Sequence, residues 1–259
     1  MDGGTGEHVL RGGNVSTVVR VGDTVRRQAG PWSSAVDAVL LHLERAGFDG
    51  APRALGYDQL GRQVLSYVEG TVDASPSDLA TSRLAAVGRL VRDFHDAMET
   101  FVPPAGTAWQ VAIPPDSRDL VCHHDIAPWN LVRAPGRLVL IDWDGAAPGS
   151  RLWDLAYAVH GFVPLSGVSP LDEVQEVARL LALVDGYGLD GGDRTSLVEL
   201  VAPRIGSMYE LLRRGHEAGE QPWARLWSEG HGDYWYASAR YAERRRGALA
   251  RAIAVREAG

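Results

Sequence analysis

The sequence of 259 residues contains no lysine, and all 26 of its basic side chains are arginine. Cys122 is the sole cysteine, so no disulfide can form within the chain and a reducing compartment is the simplest expectation. No apolar run approaches the ~20 residues that a membrane helix needs. The segment Met1–Glu7 also lacks the basic and apolar regions of a signal peptide. We therefore expect a cytoplasmic protein with no membrane partner.

Acidic residues also outnumber basic ones. The chain carries 33 acidic against 26 basic residues, a formal net charge of −7. A protein that binds nucleic acid usually presents a basic face, so we expect no nucleic-acid partner. The length fits one large domain or two small ones, and either can bury a core.

The first third of the chain predicts β-strands around one helix. Strands are predicted where β-branched residues cluster, at 8–10, 16–21, 24–27 and 62–68. A helix is predicted from apolar residues at helical spacing, Val36, Val39, Leu40 and Leu43. After Gly70 the pattern becomes helical, with helices predicted after a Ser75–Asp78 cap and near 171–187, 193–217 and 234–256. This change predicts a boundary between a part at 1–70 and a part at 71–259.

The residues that point to chemistry lie in two short segments, His123–Asn130 and Ile141–Asp144. A Pro-Gly pair lies in the stretch between these two segments, with an apolar run on each side of it. If that pair is the centre of a hairpin turn, Asn130 lies opposite Ile141 and beside Asp142. An amide oxygen and a carboxylate then lie at the same end of one hairpin.

Oxygen ligands of this kind suit a hard cation that keeps waters and binds phosphates, namely Mg²⁺. Asn130 and Asp142 are therefore candidate metal ligands. Asp125 lies on the loop just before the hairpin and can accept a proton from an attacking hydroxyl.

The pattern His-x-Asp-x-x-x-x-Asn, followed by a strand that ends in Ile-Asp-Trp, resembles the aminoglycoside phosphotransferase and choline kinase family, relatives of the protein kinases. The resemblance implies Asp125 as catalytic base, Asn130 and Asp142 as Mg²⁺ ligands, Asp144 as a supporting acid and Asp154 as a brace for the loop. It also implies an α+β, two-lobed protein-kinase-like fold, with a β-rich N-lobe at 1–70 and a helical C-lobe at 71–259. ATP or GTP would be the phosphate donor.

The same resemblance assigns two nucleotide-binding segments. The strand that connects the lobes would offer backbone groups to the purine at Ser66, Tyr67 and Val68. The glycine turn near the N-terminus would cover the phosphates with Gly13, Asn14 and Ser16.

Kinases hold the phosphates with a lysine on the third strand, paired with a helix glutamate. Because this chain has no lysine, we assign that role to Arg26, whose guanidinium can bind phosphate through two hydrogen bonds. Three possibilities stay open for its helix partner: Asp37, Glu44 or neither.

The sequence thus predicts a Mg²⁺-dependent kinase that phosphorylates a hydroxyl of a small molecule, either an aminoglycoside-type antibiotic or another natural product. Two alternatives are a metabolic kinase for a sugar, choline-like or amino-acid acceptor, and a nucleotide-binding pseudokinase. A cationic acceptor would meet acids beyond residue 170, from the set Asp172, Glu173, Glu176, Glu199, Glu210, Glu229 and Asp233. We expect a monomer or a homodimer.

Overall fold

The computed structural model describes residues 6–10, 18–72, 79–169 and 171–255. Its first part contains five strands: β1 (His8–Leu10), β2 (Val18–Val21), β3 (Thr24–Arg27), β4 (Ala54–Tyr57) and β5 (Gln63–Ser66). They form one antiparallel sheet in the order β1-β2-β3-β5-β4. The predicted strand at 62–68 is therefore β5, and it lies inside the sheet, where the run Gln63, Val64 and Leu65 is buried.

One helix, α1 (Ser33–Arg45), packs against this region. Val36, Val39, Leu40 and Leu43 are almost completely buried, as their helical spacing predicts. Burying side chains of this size stabilises the fold by about 1.5–3 kcal/mol each.

The rest of the described chain is mainly helical. Its helices are α2 (Thr81–Met98), α3 (Arg151–Phe162), α4 (Glu173–Tyr187), α5 (Gly191–Ala218), α6 (Trp223–Ser228) and α7 (His231–Val255). The three helices predicted near the C-terminus correspond to α4, α5 and α7, whereas α3, α6 and strand β4 were not predicted. The expected cap at Ser75–Asp78 lies outside the described residues. No helix in the described ranges is long and apolar enough to cross a membrane.

Two small antiparallel sheets carry the candidate site. They use β6 (Thr71–Val72), β7 (Leu120–Cys122), β8 (Leu131–Ala134), β9 (Arg137–Leu140) and β10 (Ala147–Gly149). The orders are β6-β8-β9 and β7-β10. The hairpin β8–β9 turns at Pro135 and Gly136, and Gly136 has a φ of 77°. The division of the chain at residue 70 stays a prediction.

Candidate active site

The loop that follows β7 is held by a buried carboxylate. Asp154, on the first turn of α3, accepts hydrogen bonds from the backbone N–H of His123 at 3.0 Å and of His124 at 2.7 Å. His95 of α2 lies 3.1 Å away through Nε2. Although burial acts to raise the pKa of Asp154, these partners hold it well below its usual range. An ionised Asp154 thus anchors the two residues that precede Asp125.

His124 adopts the left-handed backbone conformation, with a φ of 65°. That region is uncommon for residues other than glycine, so the peptide is held there by its neighbours. The backbone carbonyl of His124 accepts a hydrogen bond of 2.9 Å from Arg204, and its imidazole Nε2 lies 3.1 Å from the carbonyl of Ala147. His123 is fully buried, and its Nε2 lies 3.1 Å from the carbonyl of Ile141. Both histidines therefore support the loop.

Asp125 lies at the partly buried end of this loop. Its carboxylate accepts a hydrogen bond of 2.7 Å from Nδ2 of Asn130 and another from the hydroxyl of Tyr157. Burial raises the pKa of Asp125, which is the main effect, and the nearby charge of Asp142 acts in the same direction. A raised pKa makes a carboxylate a better proton acceptor once it is ionised.

The hairpin brings Asn130 and Asp142 together as its spacing predicts. Leu131 pairs with Leu140, and the N–H of Ile141 donates to the carbonyl of Asn130 at 2.9 Å. Asp142 follows with a φ of 61°, and its side chain is 49% exposed. Since Nδ2 of Asn130 is bonded to Asp125, its amide oxygen stays available as an acceptor. This set of one amide oxygen and one accessible carboxylate fits a Mg²⁺ ion.

One of the two arginines of β3, Arg27, contacts this site. Arg27, which is 5% exposed, places Nη1 3.6 Å from Oδ1 of Asp142 and forms an ion pair with Asp144. Its Nε donates to Oε1 of Gln63 at 2.8 Å, and Nε2 of Gln63 donates to Asp37 of α1 at 2.6 Å. Asp37 is thus linked to Arg27 by two successive hydrogen bonds through Gln63.

Arg26 lies on the opposite face of β3 because successive side chains of a strand alternate. Its Nε lies 3.7 Å from Oδ2 of Asp58. Glu44 pairs with Arg53 at 3.6 Å, away from both arginines of β3. The structure therefore brings Arg27, and not Arg26, to the candidate metal ligands. Alternation along β3 places the two arginines on opposite faces, and the contacts with Gln63, Asp142 and Asp144 show which face meets the site.

The segment Ser66–Val68 begins at the last residue of β5, so Tyr67 and Val68 lie beyond the strand that was predicted to include them. The N–H of Ser66 donates to Arg53 at 2.9 Å, and that of Tyr67 donates to Asp23 at 2.8 Å. The guanidinium of Arg20 lies 3.7 Å from the centre of the Tyr67 ring. The glycine turn with Gly13, Asn14 and Ser16 lies outside the described residues.

Most of the acidic residues that were considered for a cationic acceptor form ion pairs with arginines. Ion pairs at 2.6–3.2 Å join Glu173 and Glu176 to Arg245, Glu199 to Arg246, Glu210 to Arg213 and Glu229 to Arg225. Asp172 instead caps α4 through the N–H of Gln175. Asp233 lies in the first turn of α7. Five of the seven acids considered for a cationic acceptor thus pair with an arginine.

Comparisons with known proteins agree with this architecture. A model described as the phosphotransferase enzyme family matches residues 107–195, which include the loop, the hairpin and α3. The trifolitoxin immunity protein of Rhizobium leguminosarum bv. trifolii is 31% identical over 241 residues, 85% of this chain and 91% of that protein.

Two solved structures share the fold. A choline/ethanolamine kinase family protein from Mesorhizobium loti is 20% identical with a TM-score of 0.60, covering 99% of this chain and 95% of that one. The amicoumacin kinase hAmiN, solved with AMP-PNP, Ca²⁺ and Ami, is 11% identical with a TM-score of 0.67, and the match covers 93% of this chain and 88% of that one.

The expected α+β kinase-like fold, a small antiparallel sheet followed by a helical part, is confirmed. The chain belongs to the phosphotransferase enzyme family and is a small-molecule kinase.

Proposed function

We propose that this chain transfers the terminal phosphate of ATP or GTP, with Mg²⁺, to a hydroxyl of an antibiotic or related natural product. The observation that carries the proposal is the convergence of Asp125, Asn130, Asp142 and Arg27 at one end of the β8–β9 hairpin. The antibiotic class is suggested by two relatives, which are named for toxin immunity and as an amicoumacin kinase.

Asp125 acts as the base in this proposal. Asn130 and Tyr157 orient its carboxylate, which accepts the proton of the acceptor hydroxyl. The hydroxyl oxygen forms a bond to the terminal phosphorus while the bond to the leaving nucleoside diphosphate breaks. Because the protein does little covalent chemistry in such a reaction, positioning supplies most of the rate enhancement.

Asn130 and Asp142 would hold Mg²⁺, which when bound neutralises charge on the nucleotide phosphates. Arg27 keeps Asp142 in place and supplies the positive charge that a strand lysine gives in other kinases. Asp37 supports it through Gln63. The purine would lie against Ser66–Val68, where the amides of Ser66 and Tyr67 are already bonded within the protein. Backbone carbonyl groups of this segment, or the backbone N–H of Val68, would then contact the purine.

Release of nucleoside diphosphate from Mg·ATP and Mg·GTP tests the proposal, with and without a panel of hydroxyl acceptors. We expect release that requires Mg²⁺ and that falls by about 10²–10⁴-fold in Asp125→Asn, the range for loss of a general base. Nucleotide affinity should change little, since Asp125 faces the acceptor. Asp119→Asn is the matched control, because Asp119 is an exposed carboxylate six residues earlier. Tight nucleotide binding with no turnover would favour the pseudokinase.

A further inference from the structure

A series of aromatic rings leads from Asp125 to the protein surface. The hydroxyl of Tyr157 is hydrogen-bonded to Asp125. Trp235 of α7 stacks on Tyr157, with ring centres 6.3 Å apart and an interplanar angle of 19°. Tyr234 meets Trp235 edge-on at 5.6 Å, and it is 42% exposed. We call Tyr157, Trp235 and Tyr234 the aromatic wall.

A buried positive charge lies behind this wall. Arg204 of α5 is 2% exposed, and its guanidinium carbon lies 4.4 Å from the ring centre of Tyr157. The same guanidinium donates to the carbonyl of His124, next to Asp125, at 2.9 Å. A buried charge is screened far less than one in water, so it acts on a ligand beside the wall. The charges of Asp154 and Asp125 act on the same guanidinium and counterbalance it.

A neutral imidazole completes the lining. His160 lies one turn beyond Tyr157 on α3, and its ring is 4.7 Å from that of Trp235. Burial, and then the charge of Arg204, lowers the pKa of His160 to about 3, so its imidazole is uncharged near neutral pH. Nδ1 of His160 and Nε of Arg204 are buried without a hydrogen-bond partner among the described residues. Polar atoms of this kind usually find a partner, such as water or a ligand.

Five of the seven acids considered above pair with arginines, whereas Asp233, next to Tyr234, is exposed. A polyamino sugar carries several positive charges and needs free carboxylates, whereas flat rings gain from stacking on aromatic side chains. We propose that the aromatic wall binds the acceptor, and that this acceptor is an uncharged hydroxyl compound with an aromatic or flat apolar ring. The inference rests on the proposed function and specifies its acceptor class.

The test compares two sets of acceptors with the full chain and Mg·ATP. The neutral set is chloramphenicol, thiamphenicol and salicin, which all carry an aryl ring and alcohol groups. The cationic set is kanamycin and neomycin. Acceptor-dependent ADP release gives kcat and KM, and a thermal shift with Mg·ATP alone reports nucleotide binding separately.

We expect the neutral set to stimulate ADP release at least tenfold more than the cationic set. Tyr234→Ser should raise the KM of the best neutral acceptor at least tenfold without changing the thermal shift by Mg·ATP. The matched control is Tyr236→Ser. Tyr236 is 54% exposed, and its ring packs against Tyr209 of α5, on another side of α7. It should keep the wild-type KM.

Preference for kanamycin or neomycin would overturn the inference, and so would stimulation by neither set. An unchanged KM in Tyr234→Ser would overturn it too. In each case Mg²⁺-dependent ADP release that is lost in Asp125→Asn would leave the proposed function standing, whereas a Mg·ATP thermal shift without any such release would favour the pseudokinase. Absence of any Mg·ATP effect would instead contradict the proposed function itself.

Discussion

At the scale of single residues, the side of the strand on which an arginine lies decides its role. Arg26 and Arg27 are neighbours in β3, yet Arg26 lies near Asp58 while Arg27 lies near Asp142 and Asp144. Burial lowers the pKa of Arg27, and the charges of Asp142 and Asp37 oppose that effect. Arginine stays charged in such a setting, since its ordinary pKa is above ~12. A strand lysine is therefore not required for a fixed positive charge here.

The two arginines should respond differently to truncation. We expect Arg27→Ala to weaken Mg·ATP binding at least ~10-fold, about 1.4 kcal/mol, because Asp142 loses its neighbouring cation. Arg26→Ala should change the affinity less than ~3-fold, since its pair with Asp58 is on the other face. Titration of each variant with Mg·ATP, followed by protein fluorescence, measures both. An equal loss in the two variants would contradict the role given to Arg27, and thermal unfolding checks that both proteins are folded.

At the scale of helices, α2 and α4 approach closely through two glycines. A Cβ on Gly88 would lie 2.2 Å from the carbonyl oxygen of Leu183, and one on Gly186 would lie 2.2 Å from that of Ala85. Backbone atoms cannot move aside as a flexible side chain can. The close crossing positions α2, whose His95 contacts Asp154 beneath the candidate catalytic loop.

The Gly186→Ala variant should therefore be destabilised. An added methyl group in a packed interface costs about 1–3 kcal/mol. The control is Gly206→Ala in α5, where the nearest atom to a new Cβ is 3.9 Å away. It should be neutral or stabilising by up to about 1 kcal/mol, because alanine favours helix more than glycine does. Urea unfolding of both variants gives the two free energies, and equal stability would contradict the close crossing.

At the scale of the whole molecule, burial of ionisable groups links stability to pH. His160 has its ordinary pKa of 6.5 when the chain is unfolded and a pKa of about 3 when it is folded. Between these values the unfolded chain binds the proton more readily. The stability that depends on neutral His160 is thus complete above about pH 6.5 and is lost as the pH falls towards about 3.

Replacing His160 with glutamine should flatten this dependence. One proton corresponds to at most about 1.4 kcal/mol per pH unit, so the wild type should lose stability between pH 6 and pH 4 more steeply than His160→Gln by up to that slope. His231→Gln is the control, since His231 lies at the exposed start of α7. Chemical unfolding at several pH values measures the slopes. Parallel curves for wild type and His160→Gln would contradict the pKa assignment.

Much of the fold and of the candidate site was accessible from the sequence. The helical spacing of Val36, Val39, Leu40 and Leu43 predicted α1 because periodicity depends on local geometry alone. The Pro-Gly turn predicted that Asn130 lies opposite Ile141, since the register of a tight hairpin follows from its turn. Strand β4 was missed because it is short and pairs with β5 through an irregular register.

The sequence by itself determined the local parts of this protein: the hairpin, the main helices and the family-typical loop with Asp125 and Asn130. The tertiary structure decided which groups from distant segments meet there. It placed Arg27 rather than Arg26 near Asp142, linked Asp37 through Gln63, and set Arg204 and the aromatic wall beside Asp125. Such contacts join residues that are far apart in the sequence, as Arg27 and Asp142 are. No local pattern encodes them, because they follow from the packing of whole elements.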